Sequence, residues 1–449
     1  MNAVAADRRY WNAELETMAP AELRRLEQGL LLEQIGYAGV ASDLYRGSWA
    51  AASADPSRVR SLGDLSILPF TEKSDLQESQ AARRPFGTNQ AAPADRLVRM
   101  QATGGTSGRP LRMAMTRADV AVYNEVGARA AWAAGLRPGD ILFECMNYSL
   151  YAGGVNDHGT FETLGACVAP VGVGQSKRLL EILADLGVPA ALYSTPSYAL
   201  HLAGVAIAEG RKPRELGLRR GLFSGDAGLA NSAYRAEIEE VWGLIARNIY
   251  GTGETAPVAA ECDAADGLHW LGQGAFLAEF VEPETGDPVE SRDGATAELV
   301  ITTLRREAHP LIRFRTHDYV RLMLEPCSCG RTGPRFTVLG RSDDMLIVRG
   351  INLFPLAVAD VIDEFRPEVT GEFRILLDEP PPLVAPPRLR VEAGPTLEAA
   401  RLPDLAARLG DRIREILMVS FAVELVEAGS LPRGEQKTRR VIRTWLGES

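Results

Sequence analysis

The densest chemical motif in the sequence lies at residues 103–110, which read Thr-Gly-Gly-Thr-Ser-Gly-Arg-Pro. Glycines let the backbone approach a phosphate closely, hydroxyls donate hydrogen bonds to it, and a guanidinium matches its oxygens. A Walker A loop is excluded because its Lys-Ser/Thr pair is absent. A flexible Gly/Ser turn is the alternative. The residues predicted to bind phosphate are Thr103, Gly104, Gly105, Thr106, Ser107, Gly108 and Arg109.

A second motif, Tyr250–Pro257, follows a mostly apolar run. It combines an aromatic ring that can stack on a base, a tight Gly-Thr-Gly turn, and the carboxylate of Glu254, an oxygen ligand suited to Mg²⁺. The spacing also fits the GxGxxA fingerprint of dinucleotide-binding folds. Pro257 argues against that alternative, because it lies where the helix of the fingerprint would be under way.

Two further segments carry polar residues next to predicted strands. Asp318 follows Arg313 and Arg315, and its carboxylate can accept hydrogen bonds from a ribose diol. A surface strand with paired charges is the alternative for this segment. The polar run Gly340–Asp344 precedes an apolar stretch, which suits a hinge and equally suits a plain linker.

Lys437 is unusual because lysine is rare in this chain. Only four of the 49 basic residues are lysines, at positions 73, 177, 212 and 437. Lys437 lies in a Gly-containing loop among arginines, where a compact ammonium on a flexible stem reaches points that a forked guanidinium fits badly. A catalytic lysine and a solvated basic face are the two interpretations.

Length and composition bound the class of protein. The chain has 449 residues, so we expect two or more domains. Hydrophobic residues make up 46% and charged residues 24%, which is typical of a soluble globular protein. The net charge of −10 repels a phosphate backbone, so nucleic acid is not expected as a partner. No signal peptide or membrane span is expected either, because no apolar stretch is long enough.

The five cysteines are too sparse and uneven for a disulfide framework. They are interpreted as reduced thiols, which predicts a cytoplasmic protein.

The order of predicted elements indicates an α/β fold in two domains. Helical spacing occupies residues 8–36, and short apolar strands then alternate with amphipathic helices from residue 96. Alternating strands at residues 276–324 predict an antiparallel unit. After residue 340 the pattern is that of a small α+β domain, including a helix at Leu402–Leu417. The expected boundaries are residues 1–340 for a large, multi-subdomain N-terminal domain and residues 341–449 for the C-terminal one.

Together these motifs resemble the phenylacetate-CoA ligase family of the adenylate-forming (acyl-CoA synthetase-like) superfamily. The resemblance covers almost the whole chain, and it is strongest at Ser194–Leu200, Gly340–Pro355 and Leu431–Arg433. It implies an N-terminal adenylation domain and a mobile C-terminal domain. The implied activity is AMP-forming: an aryl or small acyl acid reacts with ATP to give an acyl-adenylate, and the acyl group is then transferred to CoA.

The resemblance also assigns roles to residues. Residues 103–109 would handle the ATP phosphates, Glu254 would hold Mg²⁺, and Lys437 would bridge the α-phosphate and the substrate carboxylate, with Arg109 as a further cation. Asp343 would be the hinge between the domains. The remaining nucleotide-binding positions implied by the resemblance are Ser224, Gly225, Asp226, Ala227, Tyr250, Gly251, Thr252, Asp318 and Arg341.

Two further sites follow from the same resemblance. Tyr148, Tyr151 and His158 match the acyl-pocket segment and suggest an aromatic or planar acid. Four residues of the types that zinc prefers are candidate ligands of a structural zinc ion. They are Cys262, His269, Cys327 and Cys329. The alternative is three buried thiols and a surface histidine.

Departures from the family pattern keep other functions open. His317 and Gln436 stand where the family has glycine, and Arg109 stands where it usually has lysine. Transfer of the acyl group to an amine or a carrier-protein thiol, as in relatives of secondary metabolism, is the nearest alternative. A non-catalytic nucleotide-binding protein is the alternative of another class. Similar proteins are commonly homodimers, and the sequence leaves the oligomeric state open.

Overall fold

The structure is a computed structural model that describes residues 8–103, 110–225, 228–290, 292–341, 345–348, 351–380, 383, 385–431 and 440–448. The chain divides into two compact units. The first comprises residues 1–194, 216–225 and 245–337, and the second comprises residues 195–215, 226–244 and 338–449.

The α-helices of the described residues fall in both units. They are α1 (Ala13–Glu16), α2 (Pro20–Ala41), α3 (Asp43–Ala51), α4 (Lys73–Ala82), α5 (Arg117–Ala133), α6 (Val155–Leu164), α7 (Ser176–Leu186), α8 (Pro196–Ala208), α9 (Ser232–Trp242), α10 (Pro355–Asp363) and α11 (Leu402–Leu417). None of these helices is long and apolar enough to cross a membrane.

The strands up to residue 341 form a two-stranded and an eleven-stranded sheet. They are β1 (Leu97–Ala102), β2 (Arg112–Thr116), β3 (Ile141–Glu144), β4 (Cys167–Pro170), β5 (Ala190–Ser194), β6 (Leu218–Phe223), β7 (Ile245–Gly251), β8 (Pro257–Ala260), β9 (Leu268–Trp270), β10 (Phe276–Val281), β11 (Thr296–Thr303), β12 (Phe314–Met323) and β13 (Arg335–Arg341). The later strands are β14 (Leu346–Val348), β15 (Ile351–Leu353), β16 (Val369–Leu377), β17 (Arg388–Ala393), β18 (Ala422–Val426) and β19 (Val441–Arg443).

The large sheet has the strand order β10-β11-β12-β13-β9-β8-β7-β6-β5-β3-β4. Strands β4, β3, β5, β6 and β7 are parallel, whereas β10, β11 and β12 pair antiparallel. The predicted α/β fold is therefore confirmed, as is the change to antiparallel strands after residue 276.

The parallel strands run with their carboxyl ends at one edge of the sheet. Every residue of β5 is buried, as expected for a parallel strand covered on both faces. Glu144, Ser194, Phe223 and Gly251 are the last residues of β3, β5, β6 and β7. In open α/β sheets this edge is where ligands bind, because the loops that leave the strands converge there.

The second unit contains α8, α9 and an α+β module. Its four-stranded sheet has the order β18-β17-β16-β19. Helix α11 buries Leu405, Leu409 and Ile413 in this module's core, where they join apolar residues of α10 and the sheet. The four-residue spacing of those leucine and isoleucine side chains places them on one helix face, which is why the sequence predicted this helix correctly.

The N-terminal segment docks on the loop that follows β12. Glu16 is fully buried, and its Oε2 lies 2.8 Å from Nε of Arg331. The Tyr10 hydroxyl donates to the carbonyl of Cys329 at 2.7 Å, and the Thr332 hydroxyl donates to the carbonyl of Met18 at 2.7 Å. Burial raises the pKa of Glu16, and the nearby Arg331 guanidinium opposes that shift. The segment is thus held by a buried ion pair and by hydrogen bonds to the backbone.

We predict that Glu16→Ala lowers the free energy of unfolding of the first unit by about 3–5 kcal/mol, because it leaves the buried Arg331 cation without its partner. Urea titration followed by tryptophan fluorescence measures the change. Arg46→Ala is the matched control, because it breaks a solvent-exposed ion pair with Asp43 within the same unit and should not measurably move the transition. Equal effects of the two variants would contradict this assignment.

Candidate active site

Tyr250 and Asp318, the residues predicted to contact adenine and ribose, are brought together. The Tyr250 hydroxyl donates to Oδ2 of Asp318 at 2.5 Å. The Tyr250 ring meets Phe336 edge-on, with ring centroids 5.8 Å apart and an interplanar angle of 89°. Asp318 is 5% exposed, whereas Tyr250 is only partly buried. This pair can therefore offer an aromatic face and a carboxylate to one ligand.

Glu254 lies on the turn after β7 and is 5% exposed. The ammonium of Lys73, at the start of α4, lies 2.9 Å from Oε1 of Glu254. That contact is an ion pair without hydrogen-bond geometry, so Oε1 has no directed partner among the described residues. A guanidinium N–H of Arg306 donates to the Glu254 carbonyl at 2.5 Å. The carboxylate is thus held beside two cations and keeps coordination capacity for a metal ion.

Arg306 is itself fixed by the segment that follows β11. Asp119 accepts hydrogen bonds from the backbone N–H groups of Glu307 at 2.7 Å and of Ala308 at 3.0 Å. Asp119 also completes a capping box with Thr116 at the start of α5. Burial lowers the pKa of Arg306, yet a guanidinium remains charged at neutral pH. A helix terminus therefore positions the cation that holds the Glu254 backbone.

The end of β1 packs against the Glu254 turn. The side chain of Gln101 donates to the carbonyl of Gly253 at 2.5 Å. A Cβ atom at Gly253 would lie 2.9 Å from Cγ2 of Thr103, so this position requires glycine. Thr103 is buried and its N–H donates to the carbonyl of Leu111 at 2.9 Å. Thr103 and Leu111, the bonded pair on either side of residues 104–110, therefore lie at the turn that carries Gly253 and Glu254.

His317 occupies a position where a left-handed backbone favours glycine. Its φ angle is +60°, and its Nε2 lies 2.7 Å from Oε2 of Glu72. This hydrogen bond raises the pKa of His317 and lowers that of Glu72. Because Glu72 precedes Lys73, the contact ties the start of α4 to the strand that carries Asp318. The strain of a left-handed backbone at a residue other than glycine is thus compensated by the hydrogen bond between His317 and Glu72.

Several other predicted site residues lie at the ends of strands. Gly251 and Thr252 belong to the same turn as Glu254, and Ser224 and Gly225 follow the end of β6. Arg341 ends β13 and belongs to the second unit. The remaining predicted residues lie outside the described ones. They are Gly104, Gly105, Thr106, Ser107, Gly108, Arg109, Asp226, Ala227, Asp343 and Lys437.

The predicted acyl-pocket residues surround the loop after β3. The Tyr148 hydroxyl donates to Oε2 of Glu144 at 2.6 Å and lies 3.0 Å from Nδ1 of His158. Tyr151 is exposed, and the carbonyl of Leu150 accepts a hydrogen bond at 2.7 Å from the N–H of Ala102. This loop is therefore joined to the end of β1, next to the Glu254 turn.

The four predicted zinc ligands form one cluster. Their donor atoms all lie within 4.8 Å of one another. Cys262 Sγ is 3.6 Å from Cys327 Sγ, and Cys329 Sγ is 3.4 Å from Nε2 of His269. These spacings suit four ligands around one zinc ion, with zinc–ligand distances of about 2.0–2.3 Å. His269 is fully buried, so the interpretation as a surface histidine is wrong.

The structure also excludes a dinucleotide fingerprint and a surface strand. The residues after the Gly-Thr-Gly turn form strand β8, whereas the fingerprint requires a helix at that point. Arg313 and Asp318 are 3% and 5% exposed, so the segment that carries them is not a surface strand with solvated charges.

Sequence reasoning missed Lys73, Arg306 and Glu144. The rarity of lysine was a usable signal for Lys73. Arg306 is one of many arginines and Glu144 one of many acidic residues, so nothing in the sequence distinguished them.

Comparisons with known proteins give a consistent result. A family model described as "AMP-binding enzyme C-terminal domain" matches residues 350–444. The phenylacetate-coenzyme A ligase of Thermus thermophilus is 36% identical, and the match covers 96% of this chain and 99% of that protein. The corresponding Escherichia coli ligase is 33% identical, with 95% of this chain and 96% of that protein covered.

A solved structure of a CoA ligase has a closely similar fold. The crystal structure of 2-hydroxyisobutyryl-CoA ligase in its postadenylation state, bound to an acyl-AMP, is 32% identical in sequence. It matches with a TM-score of 0.91 and covers 98% of this chain and 94% of that one. Near full-length identity above 30% and the matching fold lead to one conclusion: the chain belongs to the phenylacetate-CoA ligase family of adenylate-forming enzymes.

Proposed function

We propose that this protein is an AMP-forming ligase that activates a carboxylic acid with ATP and transfers the acyl group to CoA. One observation carries the proposal. The Tyr250–Asp318 pair and the Glu254 carboxylate belong to neighbouring elements of one site, and Thr103, the described residue that precedes the predicted phosphate loop, packs against the Gly253 position of the same turn. Adenosine, a metal ion and phosphates can therefore be held together. The relatives support CoA as the acceptor, since they are named as CoA ligases.

The chemistry has two displacements. A carboxylate oxygen of the acid attacks the α-phosphorus of ATP, and pyrophosphate leaves as the α–β bridging bond breaks. The CoA thiol then loses its proton, its sulfur attacks the acyl carbon, and AMP leaves with the electron pair of the broken C–O bond. A carboxylate and a triphosphate repel each other, so the first step requires positive charge where they meet.

The described residues supply part of that charge. The Glu254 carboxylate would hold Mg²⁺ in competition with the Lys73 ammonium, which lies 2.9 Å from Oε1. Bound there, the ion would neutralise phosphate charge as a Lewis acid. Lys73 compensates the same carboxylate in the absence of the ion. Arg306 keeps the backbone of this turn in place.

Lys437 and Arg109 complete the proposed cations. Their roles come from the family resemblance, as does that of Asp343 as a hinge between residues 1–340 and a mobile C-terminal domain. Closure of that domain would bring Lys437 to the junction of the carboxylate and the α-phosphate, and rotation would then admit CoA.

We predict that Lys437→Ala reduces acid-dependent exchange between ATP and pyrophosphate by at least about a hundredfold, on the scale of losing one transition-state donor. Isotope exchange measures the rate, and ATP binding should stay measurable by calorimetry. Lys212→Ala, at an exposed lysine outside the site, is the control and should retain normal exchange. Full exchange in the Lys437 variant would refute the assigned role.

Glu254→Gln tests the metal-binding assignment. The amide is nearly isosteric but uncharged, so we expect the Mg²⁺ concentration for half-maximal exchange to rise at least about tenfold. Titration of Mg²⁺ at fixed free ATP measures it. Glu261→Gln provides a control at a buried carboxylate that accepts from the N–H of Asn248 instead. An unchanged Mg²⁺ dependence in Glu254→Gln would exclude this carboxylate as a ligand.

We also propose a structural zinc ion at Cys262, His269, Cys327 and Cys329. The support is the approach of four suitable donors, which come from the segment just after β8, from β9 and from the β12–β13 loop. The Tyr10 hydroxyl bonds to the carbonyl of Cys329 in this loop, and Arg331, two residues later, pairs with Glu16. The ion would therefore also help to hold the N-terminal segment.

We expect one zinc ion per chain by elemental analysis of the purified protein. Cys327→Ser should lower this content and reduce the melting temperature by roughly 5–10 °C, since the lost ligand costs several kcal/mol. Cys167→Ser, at an exposed cysteine, should change neither quantity. Protein that folds normally without zinc, even when zinc is supplied during expression, would contradict the proposal.

The acceptor and the cellular location are part of the same proposal. Mass analysis of products formed from acid, ATP and either CoA or an amine distinguishes a thioester from an amide. None of the five cysteines forms a disulfide in the structure, and a cytoplasmic location, where ATP and CoA are available, is part of this proposal.

A further inference from the structure

A polar cluster lies at the carboxyl end of β3. It consists of Glu144, Tyr148 and His158, and Glu144 is fully buried. The Tyr148 hydroxyl donates to Oε2 of Glu144 at 2.6 Å and lies 3.0 Å from Nδ1 of His158. The other carboxyl oxygen of Glu144, Oε1, is buried and has no hydrogen-bond partner among the described residues.

Burial raises the pKa of Glu144 to about 9. The carboxyl group is therefore neutral near neutral pH, and it can both donate and accept hydrogen bonds. On the far side, Nε2 of His158 lies 3.3 Å from the exposed carboxylate of Glu162. Glu144 thus offers hydrogen bonds rather than a charge.

A neighbouring buried carboxyl group shows what a closed network looks like in this protein. Both oxygens of Asp157 accept hydrogen bonds, from the Tyr123 hydroxyl at 2.7 Å and from the Tyr193 hydroxyl at 2.5 Å. Asp157 therefore needs no further partner. Glu144 differs because only one of its oxygens is bonded, and a buried polar atom without a partner costs about 1–3 kcal/mol.

The cluster lies close to the site of the proposed chemistry. The loop that carries Tyr148 bonds to the end of β1 through Leu150 and Ala102. One residue earlier, Gln101 bonds to Asn156 of α6 and to the carbonyl of Gly253. The hydrogen-bonded path from the cluster to the Glu254 turn is thus only a few residues long.

From this arrangement we infer that Glu144, Tyr148 and His158 form the polar end of the acyl-binding site and select an acid that carries a hydroxyl or amino substituent. The inference rests on the proposed function, since it names the acid class that the same site would activate. Such a substituent supplies the partner that the buried cluster lacks. An unsubstituted acid leaves the polar groups unpaired, and sites built in this way discriminate strongly against the analogue without the polar group.

The first test compares matched pairs of acids. Benzoate and phenylacetate are each assayed against their hydroxy- and amino-substituted ring isomers, with pyrophosphate release as the readout. We expect at least one substituted acid to exceed its parent in kcat/KM by at least about a hundredfold. Preference for the unsubstituted parents overturns the inference. Absence of pyrophosphate release and ATP exchange with every carboxylic acid in a wider panel counts instead against the proposed function.

Variants show whether the cluster is responsible. Tyr148→Phe should lower kcat/KM for the preferred substituted acid about tenfold to a hundredfold and leave its parent within about threefold. Glu144→Gln keeps the shape of the side chain. It should reduce the ratio of kcat/KM for the substituted acid to kcat/KM for its parent. Tyr10→Phe is the matched control, because it removes one tyrosine hydrogen bond, to the Cys329 carbonyl, outside the cluster and outside the segments that hold the Glu254 turn.

A merely structural role makes a different prediction. If Tyr148 only supports the fold, Tyr148→Phe will lower the melting temperature and reduce kcat/KM for both acids of a pair equally. Equal losses for both acids in Tyr148→Phe and Glu144→Gln therefore overturn the inference. A loss confined to the substituted acid, at an unchanged melting temperature, supports it.

Discussion

A buried carboxylate must be compensated by positive charge. In this protein the carboxylate of Glu254 is buried, and the residues that surround it are placed accordingly. Lys73 approaches its side chain and Arg306 holds its carbonyl, so two distant parts of the chain converge on a single turn. Arg306 is in turn placed by the segment that Asp119 anchors at the start of α5. The turn is therefore held by contacts within the protein, and under the proposed function this would reduce the reorganisation needed for a metal ion and phosphates to bind.

The same turn connects the other parts of the first unit. Strand β1 ends against Gly253, and it also bonds to the loop that carries Tyr148. The start of α4 reaches Asp318 through the contact between Glu72 and His317. A shift of the Glu254 turn would therefore reach both the Tyr148 loop and Asp318, the positions at which we propose that the acid and the nucleotide bind.

Much of the fold was accessible from the sequence because its signals are local. The spacing of Leu405, Leu409 and Ile413 places three apolar side chains on one face, and the predicted helix Leu402–Leu417 agrees with α11. The pairing of Tyr250 with Asp318 could be anticipated only through the family resemblance, since sixty-eight positions separate the two residues. Arg306 and Glu144 could not be anticipated at all. Their significance comes from burial and from long-range contacts, which residue type and spacing do not encode.

The central claim is that this site joins the acid to the α-phosphorus of ATP. The most direct measurement uses an acid whose carboxylate oxygens are replaced by the heavy isotope oxygen-18, followed by mass analysis of all products after one turnover with CoA. Attack at the α-phosphorus transfers one labelled oxygen to AMP, and this is the result we predict. Label in inorganic phosphate or pyrophosphate, or unlabelled AMP, would contradict the account.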